Sequence, residues 1–107
     1  MAFDAYDRSI SLLCALVPLL ERLKATDPKL EDQARRAATS VALNLQEANR
    51  RTGRDRRNRF RISLGSAAEV GAALDVAVAF GYLDEVAVAA ARELIDRVRA
   101  MTYRLAR

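Results

Sequence analysis

With 107 residues, the chain has room for one domain and a single modest core. Half of it is hydrophobic, but with only three Phe, three Tyr and no Trp, so alanine, leucine and valine must do the packing; four Gly and two Pro are too few for a chain of many strands and turns. No histidine and a single cysteine, Cys14, exclude an internal disulfide and the common zinc frameworks, and the net charge of +4 is the first pointer to an anionic partner.

The first predicted helix carries two neighbouring stripes at 3-4 spacing: Phe3, Tyr6, Ile10, Leu13, Val17 and Leu20, and beside them Leu12, Leu16, Leu19 and Leu23. Two stripes are more than one packing seam requires. The leucine stripe is therefore assigned to an oligomer interface. Cys14, set among Leu12, Leu13, Ala15 and Leu16, reads as a small buried hydrophobe, since no base adjoins it. Pro18 should bend the helix. Asp4 and Asp7 replace the basic start of a signal peptide, and no apolar stretch approaches the roughly 20 residues of a membrane span. The expected location is cytoplasmic, without membrane contact.

Asp27 and Pro28 suit the N-cap and first position of a second helix running to about Asn49. Its seam is Leu30, Ala34, Ala37, Val41, Asn44 and Ala48, with one polar residue among the apolar ones. Gly53 interrupts, and a third helix from about Arg54 to Phe80 repeats the spacing at Phe60, Leu64, Ala67, Gly71, Leu74 and Val78. Gly81 is placed to end it in a left-handed conformation. After the Tyr82-Leu83-Asp84 turn, a fourth helix presents Val88, Ala91, Ile95, Val98, Thr102 and Leu105, flanked by Leu94 and Met101. The expectation is an all-α, antiparallel, up-down-up-down four-helix bundle, one domain over residues 1–107.

Residues 50–61 hold seven Arg against one Asp, a charge of +6; since the whole chain is +4, the remainder is −2. Arg54, Arg57 and Arg61 should align on the start of the third helix, with Arg56 and Arg59 beside them, and Arg50 and Arg51 in the turn before it. Guanidinium groups grip phosphate oxygens with paired hydrogen bonds, and a helix N-terminus adds free N–H groups. The strip therefore suits a nucleic-acid backbone. No ladder of aromatics accompanies it, and Phe60 reads as core, which favours backbone contact over base reading. The alternative is a module whose basic strip docks an acidic protein.

A second constellation is polar. Ser40, Asn44, Glu47 and Arg51 follow one another at 4-3-4 spacing, and a hairpin turning near Gly53 places Ser40 near Ser66 and Glu47 near Arg59. Ile62, Ser66, Glu69 and Ala73 form the expected facing stripe, with Gly65 allowing close backbone approach. Ser40, Asn44, Glu47, Ser66 and Glu69 are read as a structural polar network fixing register. Without a histidine, an activated nucleophile or a phosphate-cradling glycine loop, no catalytic residue, cofactor or metal is expected, and no enzyme activity.

The run from Ala37 to Glu47, the basic strip, Phe60, Gly65, Ser66, Glu69 and Gly81-Tyr82-Leu83 together resemble a bacterial four-helix-bundle family. That family was first met as the product of intervening sequences in large-subunit ribosomal RNA genes, and includes the accessory variability determinant of diversity-generating retroelements. Its pattern joins an Ala/Ser-rich helix ending Asn-Ile-Ala-Glu-Gly, a basic turn, a helix with an aromatic followed by Ala-x-Gly-Ser-x-x-Glu, and a Gly-Tyr-Leu turn. Gln46 and Ala48 replace its usual Ala and Gly, so the end of the second helix should be continuous. The resemblance implies a homo-oligomer, in known cases a pentameric ring. For the retroelement branch it further implies binding to nucleic acid and to a reverse transcriptase.

Overall fold

The computed structural model describes residues 2–107, with side chains from residue 4 onward. Phe3, at the head of the first stripe, lies outside those side chains. Four helices follow in order: α1 (Ala2–Thr26), α2 (Pro28–Ala48), α3 (Gly53–Ala79) and α4 (Glu85–Ala106), with no strand among the described residues. The molecule measures 43 × 22 × 19 Å, its long axis matching the roughly 40 Å of the 27-residue α3 at 1.5 Å per residue.

Helix ends follow local chemistry. The Asp27 carboxylate accepts from the Leu30 N–H at 3.1 Å and opens α2 with Pro28 at its first turn. Asp84 does the same for α4, accepting from the Ala87 N–H at 2.8 Å. Gly53 and Gly81 hold φ of +58° and +76°, a region costly for residues with a Cβ, and mark the turns after α2 and α3. α2 continues unbroken to Ala48, as Gln46 and Ala48 led one to expect. α1 is continuous through Pro18, which lies on its exposed side.

α1 and α3 occupy opposite corners, each packed on both α2 and α4, and the α2–α3 seam is the most extensive. One core cluster joins Leu12, Leu16, Leu19 and Leu23 to Leu30, Leu74, Val88 and Ile95. The other joins Ala5, Val41, Leu45, Phe60, Val98 and Ala106, so it draws on the first turns of α1, the later turns of α2, the first half of α3 and the later turns of α4. The seams expected of α2 and α4 are buried as read, with Asn44 and Leu105 half-buried. The seam expected of α3 is buried only at Phe60, Ala67 and Leu74; Leu64, Gly71 and Val78 are half-buried, and the inward face turns instead through Ser63, Ser66, Val70, Ala73 and Ala77.

The leucine stripe of α1 faces inward, against expectation. Leu12, Leu16, Leu19 and Leu23 are 0–5% exposed and form the core of this chain, so they cannot be an oligomer interface. Of the other stripe, Ile10 and Val17 are 37% and 51% exposed while Tyr6, Leu13 and Leu20 pack half-buried against the core, and Cys14, between Ile10 and Val17, is exposed, not buried. The unbroken leucine row packs against Leu30 and Ala34 of α2, Leu74 of α3 and Val88 and Ile95 of α4 in one core cluster. The expectation that no stretch approaches a membrane span also needs correction. By length and composition α3 is apolar enough to cross one, with an 18-residue window of mean hydropathy 1.5.

Candidate nucleic-acid interface

The turn between α2 and α3 divides the seven arginines into two groups. Arg51, Arg56 and Arg59 are built into the structure. Arg51 donates to the Glu47 carboxylate through Nη2 at 2.6 Å and Nε at 3.0 Å, and to Asp55 through Nη1 at 3.1 Å. It thereby ties the last turn of α2 to the first turn of α3. Arg56 donates from Nη1 to the Ala48 carbonyl at 3.0 Å, capping the end of α2, while its guanidinium lies 4.9 Å from the centre of the Phe60 ring. Arg59 reaches the Asn44 carbonyl oxygen at 3.3 Å.

Arg50, Arg54, Arg57 and Arg61 are exposed, and none has a side-chain partner among the described residues. Arg54, Arg57 and Arg61 share one face of α3 by their 3-4 spacing. A segment that looked in sequence like one undivided charge is thus four free cations standing on three that are spoken for. The local acids take part in the same division. Arg51 holds the Glu47 carboxyl below the usual carboxylate range, chiefly through their hydrogen bond, with Arg50 and Arg59 adding to the effect at longer range. Arg51 is raised in turn, again chiefly through its hydrogen bond to Glu47, then by the charge of Asp55.

The polar network forms across the α2–α3 seam in part. Ser40 Oγ and Ser66 Oγ stand 2.7 Å apart, as expected from the hairpin. Asn44 Nδ2 donates to the Ser40 carbonyl at 2.9 Å and to Ser40 Oγ at 3.1 Å, and Asn44 Oδ1 accepts from Arg59, so a chain runs from Arg59 through Asn44 and Ser40 to Ser66. Glu47 sits outside this chain, paired with Arg51. Glu69 is exposed and does not join it, and Ile62 likewise points away from α2. The facing row is Ser63 and Ser66, with Ser63 Oγ donating to the Val41 carbonyl at 3.0 Å. Ser63 was legible only as a position three before Ser66 on the same helical face. Gly65 is not used for close approach within the chain: a Cβ there would meet nothing within 4 Å.

Among the described residues no group of His, Cys, Asp and Glu is arranged to hold a metal. The arrangement offers cations and hydrogen-bond donors at one turn.

Comparison with known structures finds a crystal structure of a protein of unknown function from the S23 ribosomal protein family of Bacteroides thetaiotaomicron VPI-5482. It is 20% identical, covers 96% of this chain and 98% of its own, and superposes with a TM-score of 0.87. At that identity the likeness establishes the fold. Comparison with the curated proteins finds no match. The model of the 23S rRNA-intervening sequence protein family matches residues 1–104. Neither that family's description nor the structural neighbour's mentions a retroelement. Matched along nearly its whole length, and sharing the four-helix fold of the S23 protein, the chain belongs to the 23S rRNA-intervening sequence protein family.

Proposed function

We propose that this protein is a non-enzymatic nucleic-acid-binding bundle that contacts the sugar–phosphate backbone through Arg50, Arg54, Arg57 and Arg61. The observation that carries this reading is the division of the strip. Four guanidinium groups remain solvated and unpaired at one turn while the neighbouring acids, Glu47 and Asp55, are occupied by Arg51. Four mutually repelling cations contribute nothing to the stability of a lone bundle, whereas they release counterions from a polyanion. In this reading Arg51, Arg56 and Arg59 are positioning residues.

The helices alternate in direction, up-down-up-down, which the Ser40–Ser66 and Arg92–Asp75 pairings support. The chain assembles with copies of itself through two different outer faces. One is Ile10, Cys14 and Val17 on α1; the other is Ile62, Gly65, Ala72 and Val76 on α3, at the opposite corner of the bundle. The outer side of α3 leaves Ile62 and Val76 about two-fifths exposed. Contact between unlike faces is the head-to-tail type that closes rings, and a ring would sum its copies of the basic turn into one positive zone.

The test is a binding titration with mixed-sequence RNA and DNA at several salt concentrations. Four phosphate contacts per chain predict that log K falls with log salt at a slope of about −3 to −4, shallower on single strands. Converting Arg54, Arg57 and Arg61 together to alanine should lower affinity and flatten the slope. Absence of binding at low salt, or a variant indistinguishable from wild type, would leave the acidic-protein partner as the better account.

A further inference from the structure

The fold brings to the basic strip an aromatic ring that the sequence places far from it. A surface depression is lined by Arg61 and Leu64 of α3 and by Tyr103, Ala106 and Arg107 at the end of α4. We propose that this depression holds an unpaired nucleotide of a bound strand, its base against the Tyr103 ring and its phosphates on Arg61 and Arg107. The inference rests on the backbone-binding reading above and extends it from backbone to base.

Tyr103 is 62% exposed, a large aromatic surface left to solvent beside an apolar floor of half-buried Leu64 and buried Ala106. The Arg107 guanidinium already lies 6.0 Å from the centre of that ring, so one cation sits beside the aromatic platform and Arg61 supplies the other. The remaining depressions lack this combination. The other α3–α4 depression carries Asp75 and Asp96, and its Arg92 is bound to Asp75 at 2.7 Å; the one near the start of α1 carries Asp4 and Asp7. The groove holding Arg35 and Arg36 has both engaged with Glu31 or Asp32, and no aromatic. Among these depressions, the Tyr103 site joins an exposed ring to cations with no carboxylate side chain in its lining. Arg54 and Arg57 continue the cationic line from Arg61 over about 10 Å of helix, the path for the adjoining phosphates. A base in a duplex is stacked between its neighbours and cannot lie on such a ring, whereas a single strand can offer one.

Fluorescence anisotropy of the full chain with three probes tests this: a labelled oligouridylate, a mixed-sequence RNA duplex, and inorganic polyphosphate in competition. Tyr103→Ala should weaken oligouridylate binding about tenfold and polyphosphate far less, and Tyr103→Phe, which keeps the ring, should restore affinity. If thermal melting shows that Tyr103→Ala does not fold, Tyr103→Leu, apolar but without a π face, asks the same question. Equal losses on all probes overturn the inference. So does no loss on any, while the triple arginine variant still fails to bind, and in both cases backbone binding stands. A wild type that binds none of the probes overturns both.

Discussion

Glu47 shows how one carboxylate sets the charge that the turn presents. It holds Arg51 together with Asp55 and is itself kept ionised by that arginine, so Glu47→Gln removes one negative charge from the turn while Asp55 keeps Arg51 in place. The expected outcome is tighter nucleic-acid binding from the less negative turn, measured beside a melting curve lowered only slightly, since an exposed ion pair is worth little. An opposite result, weaker binding, would mean that the fixed position of Arg51 matters more than its charge. Much at this scale could be read in the sequence. The Ser40–Ser66 contact follows from counting back from Gly53, and Phe60 as core follows from its seam position. What could not be read was which arginines turn inward. Arg56 and Arg59 do so because the Ala48 carbonyl and the Asn44 side chain wait on α2, partners that exist only once the hairpin has formed.

At the level of the helix, the four elements and their caps are legible because Asp27-Pro28, Gly53, Gly81 and Asp84 each have one local conformation that suits them. The facing of α1 was not legible. Its stripes are adjacent and both apolar, and periodicity alone cannot say which of them the other three helices cover. Substitutions on the two stripes should therefore behave oppositely. Leu16→Ala, in the core, should cost about 2–5 kcal/mol in denaturant unfolding. Val17→Glu, on the exposed stripe, should leave stability nearly intact and yield smaller species in light scattering. A wild type that is monomeric throughout would remove the assembly proposal and leave the outer faces of α1 and α3 unexplained.

For the molecule as a whole, the absence of histidine has a direct consequence for binding. The free cations are arginines, which stay charged at any accessible pH. The neighbouring carboxyl whose proton affinity is displaced, Glu47, is displaced downward. A depressed carboxyl contributes its stabilising pair above its unfolded-state value and loses it only as pH falls through the lower folded value. Affinity for nucleic acid should consequently be flat from about pH 6 to 9, in contrast with a histidine-dependent binder. Below the carboxylate range it should rise as the acids lose charge, until the fold itself fails. A step near neutrality would point to a different binding group.

The bond from Arg56 to the Ala48 carbonyl bears on which substitutions the turn can accept. A lysine at position 56 could satisfy the carbonyl or lie over Phe60, but its single point of charge does not span both as a planar guanidinium does. Position 51 is similarly demanding, since it joins two carboxylates on different helices. Positions 50, 54, 57 and 61 touch nothing within the chain that distinguishes the two cations, so the fold accepts lysine there, and only the paired grip on phosphate favours arginine. The basic strip is therefore two alphabets written in one letter: an architectural set that only arginine can spell, and an outward set open to any positive side chain.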